Sequence, residues 1–292
     1  MYRKLSYLIL VMALTNVPAR AQTPAGAEIR AATAPTELDM YCAGVVSTQT
    51  VPQDTYVISG VESEDRVVYH ASDYVFINKG ANQGVKVGDQ FLVSRTESEL
   101  LRQPWFAWQE ELTRAMGTTY VDLGILKVTT VEAKTSIAEV QQACDYVQRG
   151  DIVQPFTPRP APPYKADTKF DPFAPPSGKA KAMVVTTKSF GQLAGQGKVV
   201  YVNLGSGQGV KVGDYFRIFR YQGEHSEVAY QVPATAYSMY GFGATPRPYS
   251  WAELPRDVVG EGIVLRVGPN AASVLITASQ REIFVGDYVE LE

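Results

Sequence analysis

Short runs of apolar and polar residues, punctuated by glycine, asparagine and aspartate, recur along this chain. Tyr74 to Ile77 is an apolar, aromatic and β-branched run that predicts a buried strand. Asn78 and Gly80 end it, and Asn82 to Gly84 form a second turn. Val85 and Val87 flank Lys86, an alternation that turns both valines to a core and the lysine to water. Gly88-Asp89 is a further turn, with a carboxylate able to accept backbone N–H bonds, and Phe91 and Val93 point inward from the next strand. Cys42 to Ser47, Thr55 to Ser59 and Arg66 to His70 are further β-prone runs. Gly124 to Val131 and Ser136 to Val140 predict a hairpin, and Gly150-Asp151 leads into a closing strand. A helical period is found after Pro104, inside an insertion at 96–117, where Trp105, Trp108 and Leu112 share one face.

The pattern repeats. Val75–Arg95, VFINKGANQGVKVGDQFLVSR, returns as Val200–Arg220, VYVNLGSGQGVKVGDYFRIFR, with 12 of 21 positions identical. Ala182 to Thr186, Lys198 to Val202 and Asp214 to Phe219 repeat the strand–turn–strand scheme. Gly262-Ile263-Val264 matches Gly124-Ile125-Leu126, and Gly286-Asp287-Tyr288-Val289 matches the Gly150-Asp151 closure. One structural unit is therefore present twice. The expected organisation is a signal peptide at 1–21, a disordered lead-in at 22–37, a β-barrel domain at 38–153, a proline-rich linker at 154–180 and a second β-barrel domain at 181–292. The linker would hold the units apart or lie across a surface.

Composition adds the compartment. Arg3 and Lys4 precede an apolar run from Leu5 to Leu14, and Ala19-Arg20-Ala21 offers small residues for cleavage before Gln22, the pattern of an export signal. No later segment is apolar enough to span a bilayer, and the mild net charge of −3 gives no footprint for nucleic acid. Two cysteines, Cys42 and Cys144, form a disulfide by default in an oxidising compartment, with two free buried thiols as the other state.

Catalytic and cofactor chemistry is hard to assemble. His70 and His225 stand in no metal-ligand or nucleophile–base pattern, and Gly191 to Val199 fails as a phosphate loop. No metal or cofactor is expected, and the repeated lysines and aspartates read as turn chemistry. Arg149-Gly150-Asp151 matches an adhesion tripeptide but occupies the closing turn. The candidate contact residues are aromatic. Trp105 and Trp108 lie on the inserted helix, which either covers a barrel end or offers a partner-binding face. Tyr237, Tyr240, Phe242, Tyr249 and Trp251 lie on the long loop 221–257 of the second unit, as a lid, a protein contact or a glycan contact.

The signature V-[FY]-[IV]-N-x-G-x-x-Q-G-V-K-V-G-D-x-F, followed by an insertion, a Gly-Ile strand and a closing G-D-x-V, resembles the C-terminal domain of flagellar assembly protein T. The same module occurs in other exported bacterial proteins. The resemblance rests on Val75 to Arg95, Gly124 to Val153, Val200 to Arg220 and Gly262 to Leu291. It implies a small SH3-like β-barrel in the periplasm, contributing to an envelope assembly without catalysing a reaction. The expected protein is thus an all-β chain of two tandem SH3-like barrels, the first with a short helical insertion and the second with a long aromatic loop. Its expected role is a non-enzymatic adaptor or structural component of a flagellum-, secretion- or outer-membrane-associated assembly, contacting envelope proteins. The alternative is a peptidoglycan- or polysaccharide-binding module using the 221–257 loop.

Overall fold

The structure, a computed structural model, describes residues 32–97, 104–165, 171–221 and 255–292. It is all-β in class. Two short helices, α1 (Glu37–Cys42) and α2 (Gln109–Met116), accompany the strands. In the first repeat the strands are β1 (Val45–Ser47), β2 (Val57–Gly60), β3 (Val68–Tyr69), β4 (Tyr74–Ile77), β5 (Gln90–Glu97), β6 (Thr118–Val131), β7 (Ser136–Ala143), β8 (Val147–Gln148) and β9 (Ile152–Pro155). In the second they are β10 (Lys181–Thr187), β11 (Leu193–Ala194), β12 (Val199–Val202), β13 (Tyr215–Arg220), β14 (Asp257–Val267), β15 (Ala272–Ser279), β16 (Ile283–Phe284) and β17 (Tyr288–Leu291).

The second repeat closes into a six-stranded barrel, β10-β12-β15-β14-β13-β17. The first follows the same order, β2-β4-β7-β6-β5-β9, with β1 added along β6. A Tyr56–Ile152 bridge brings its two outer strands together. The two-stranded sheets β3–β8 and β11–β16 sit at equivalent places in the two repeats. Val75, Ile77, Phe91, Val93, Leu126 and Val140 fill the first core; Val200, Val202, Phe216, Ile218, Val264 and Ile276 fill the second.

The repeated signature is explained position by position. Asn78 accepts from Tyr56 N–H (2.7 Å) and donates to the Asp54 carbonyl (2.8 Å), tying β4 to the start of β2. Its counterpart Asn203 accepts from Met183 N–H (2.7 Å). A side chain on Gly80 would stand 2.3 Å from the Glu132 carbonyl oxygen, and one on Gly205 would stand 2.4 Å from that of Gly268, so neither site has room. Gln83 and Gln208 reach back to accept the N–H of those glycines (3.0 and 2.9 Å), closing one 3₁₀ turn each. Gly84 (φ 82°) and Gly209 (φ 85°) then leave the turn in the left-handed region, where glycine pays no steric cost. Asp89 and Asp214 accept from Lys86 N–H (2.9 Å) and Lys211 N–H (2.8 Å).

Three expectations need correction. Val85 and Val210 are buried, but Val87 (67% exposed) and Val212 (50%) face solvent. Residues 85–89 form no strand, and 87–88 are a turn, so period-2 alternation does not apply there. The Gly124–Gly262 match is two residues out. Val93 pairs Gly124 while Ile218 pairs Gly260, and Val128 and Val264 donate to Asp89 and Asp214 respectively. A two-residue slip keeps every side chain on its face, so the hydrophobic pattern does not resist it. Finally, residues 37–42 are a helix. Thr36 and Asp39 form a capping box, Thr36 N–H to Asp39 Oδ2 (2.8 Å) and Asp39 N–H to Thr36 Oγ1 (3.2 Å). The described end of the lead-in is also engaged, with Thr33 N–H donating to Thr277 O (2.8 Å).

Residues 31–292 form one compact unit. Several strands of the second repeat are buried on both faces, as β14 shows over Asp257–Leu265. Their inner residues fill the barrel, and their outer residues meet α1, β1 and α2 of the first repeat.

Candidate contact surfaces

The inserted helix packs against the second repeat. Leu112 and Met116 join Val46, Val185, Tyr201 and Ala271 in one apolar cluster. Gln109, only 1% exposed, spans the junction: its Oε1 accepts from Trp105 N–H (2.7 Å) and its Nε2 donates to the Val185 carbonyl of β10 (2.7 Å). Asn270 donates to the Ala115 carbonyl (2.9 Å) at the helix C-terminus. Phe106 is buried against Gly286, within 3.4 Å of where a side chain there would begin. Of the two tryptophans, Trp105 is half-buried and Trp108 is 74% exposed. Trp108 has φ 71° at the helix start, a left-handed conformation unusual for a bulky residue.

The second junction runs through α1 and β1. Met40 and Ala43 pack on Ile263, Leu265 and Leu275. Gly44 (φ 68°) lets the chain turn here, its N–H donating to Asp122 Oδ2 (2.9 Å) and its carbonyl accepting from Ser273 Oγ (2.8 Å). Tyr201 Oη donates to the Ala43 carbonyl (3.1 Å), and burial raises its pKa. The Cys42–Cys144 disulfide staples α1 to the first repeat, with Cα atoms 5.4 Å apart. Asp122, 2% exposed, also accepts from Arg266 of the second repeat (3.1 Å). Burial pushes its carboxyl above the ordinary aspartate range, and the Arg266 and Arg159 charges only partly offset this.

Other charged groups hold turns and the linker. Arg95 grips Asp151 through two bonds (2.7 and 2.9 Å), and Arg220 grips Asp287 in the same way (2.9 and 2.7 Å). Asp151 is 2% exposed, so the adhesion-like tripeptide is indeed a turn whose carboxylate is spent internally. Arg256 pairs with buried Glu290, donates to the carbonyls of Ala174 and Pro175, and lies 4.4 Å from the centre of the Phe219 ring. The linker therefore lies across the second repeat, at Ala161, Lys165 and Pro172–Ser177.

Asp122, Gln109, Arg256 and Glu290 went unnoticed in the sequence. The available signal was a charge amid apolar strand residues, as in Tyr120–Leu126 and Tyr288–Leu291. Tyr237, Tyr240, Phe242, Tyr249 and Trp251 lie outside the described residues. Among the described residues no cluster of three His, Cys, Asp or Glu side chains could hold a metal ion, and no helix is long and apolar enough to cross a membrane. No protein-family model matches the chain, and no curated protein matches it significantly.

Proposed function

We propose that this protein is a non-enzymatic adaptor of a cell-envelope assembly, working in the periplasm through protein–protein contacts. The observation that carries the reading is Trp108. Its indole is 74% exposed on a left-handed backbone, while the adjoining Gln109 anchors the same turn to the second repeat. Strained, exposed aromatics on an immobilised element are suited to partner anchoring, because little order must be gained on binding. The Cys42–Cys144 bridge supports an oxidising compartment. The repeated polar residues support a scaffold rather than a catalyst, since Asn78, Gln83, Asp89 and Asp151 are each committed to a turn or a clamp. The barrels, on this reading, are SH3-like platforms.

The test is a photo-crosslinking residue at position 108 of the full chain in its native cell. Discrete partner bands are expected. Absence of bands, together with retention of the protein on purified sacculi, would replace the adaptor reading with the glycan-binding one.

A further inference from the structure

The two repeats carry the same groove in two states. In the first, a groove of about 490 Å³ is lined by Lys79, Gln83, Gly88, Gln90, Phe91 and Phe156, among others. Its frame is reproduced in the second repeat: Phe156 N–H donates to Gln90 O (3.1 Å), as Glu292 N–H donates to Tyr215 O (2.9 Å). Gly88 and Gly213 have the same φ, 93° and 91°. In the second repeat the linker lies on this place. Pro162 Cβ is 3.3 Å from where a side chain on Gly213 would start, whereas nothing stands within 4 Å of the equivalent point on Gly88. Lys165 N–H donates to Tyr215 Oη (2.7 Å), its ammonium reaches Glu292 (3.1 Å), and Ala161 packs nearby with Tyr215 and Ile263.

We infer that the groove beside Gly88 is a docking site for an extended, proline-bearing, acidic peptide segment of a partner protein. This rests on the adaptor reading and names the surface and the partner chemistry. A proline against a left-handed glycine turn fills space that no side chain of the turn itself occupies, and a proline segment loses little entropy when it docks. The charge preference differs from that of the linker. Phe156 stands where Glu292 meets Lys165, so the first groove lacks that carboxylate. Lys79 stands where the second repeat has Leu204, and it makes no ion pair among the described residues. A carboxylate on the incoming segment complements it; the Asp89 carboxylate, which also lines the groove, accepts from the Lys86 N–H (2.9 Å).

The experiment titrates the isotope-labelled full chain with a peptide of residues 157–165 carrying Arg159→Ala and Lys165→Glu, which makes it acidic. Saturable shifts of the Val87, Gly88, Gln90 and Phe156 amides are expected. Lys79→Glu should weaken the binding about tenfold, and Gln90→Tyr, which installs the hydroxyl of the second repeat, should tighten it severalfold. The spectrum itself reports whether each variant is folded. Absence of saturable shifts at those amides, or shifts confined to Gly213 and Tyr215 as the peptide displaces the linker, would overturn the inference. Photo-crosslinkers at positions 90 and 108 in the native cell separate the two readings. Bands from 108 without bands from 90 sink the groove and leave the adaptor. Bands from neither sink the adaptor, while the titration still decides the groove.

Discussion

The two repeats keep an apolar interior of similar residues and differ on their outer faces. In the first, Leu92, Ile125 and Gln154 stand where the second has Arg217, Glu261 and Glu290. The second repeat uses those charges to clasp the linker, through Arg217 and Arg256 on Glu290 and through Lys165 near Glu261. The first is secured instead by a covalent staple, Cys42–Cys144, that holds α1 at the junction. Closing a barrel thus constrains the residues that point inward. The outer face is free to become a junction, a clasp or a contact surface.

The disulfide offers the largest way to break this comparison. Its 102-residue separation allows up to about 4–5 kcal/mol by chain entropy, so Cys42→Ser with Cys144→Ser should lower the urea midpoint strongly. Loss of α1 docking should also expose Leu265 and Leu275, which hydrogen exchange around β14 and β15 would detect. Next comes Arg256→Ala. It removes a partner from fully buried Glu290 and releases the linker carbonyls, at a cost of about 3 kcal/mol in denaturant unfolding. Gln109→Ala leaves the Val185 carbonyl without its donor and should cost about 1–3 kcal/mol. If Gln109→Ala leaves stability unchanged, the helix is a passenger and not a bridge.

The pH dependence sharpens the contrast between the two buried carboxylates. Burial pushes Glu290 up, but the Arg256 hydrogen bond, the Ser177 N–H and the charges of Arg256 and Arg217 more than reverse this, leaving its pKa below the ordinary glutamate value. Its stabilisation is present above that ordinary value and is lost as pH falls through the depressed one. Asp122 is the opposite case. With its folded pKa raised, its contribution is favourable below the ordinary aspartate value and is lost as pH rises through the elevated one. In urea melts across the acid range, Glu290→Gln should flatten the loss of stability, whereas Asp122→Asn should steepen it. The smallest effect belongs to the turn valines. Val87→Lys and Val212→Lys should each stay within about 0.5 kcal/mol of the wild type by the same melts.

Much of the fold was legible because a barrel strand writes its inner face in period 2 and its turns in glycine, asparagine and aspartate. Val75, Ile77, Phe91 and Val93 are buried as that pattern demands, whereas Tyr74 (43% exposed) and half-buried Phe76 of the same run alternate outward, so the run is buried on one face only. The disulfide pairing followed from having two cysteines. The six-residue α1 was illegible because it is too short to show a helical period, and only its capping pair, Thr36 and Asp39, announces it. The Gly260 register was hidden because a two-residue slip preserves facing. The docking of Gln109 and Met116 on the second repeat is a long-range event that no local pattern encodes, although the three consecutive apolar residues Ile263-Val264-Leu265 of β14 fit burial on both faces. Trp105 and Trp108 share a predicted face, yet the left-handed turn at Trp108 puts their side chains in different environments.

On the proposed adaptor reading, the repeated signature builds the barrels while the surfaces they carry make the contacts. The most direct test is the double variant Asp89→Asn with Asp214→Asn, crosslinked from position 108 in the native cell. Each change weakens the acceptor for one backbone N–H, Lys86 or Lys211, at about 1 kcal/mol apiece. The expected result is a less stable protein whose folded fraction gives the same partner bands as the wild type. A protein of unchanged stability that has lost those bands would contradict it.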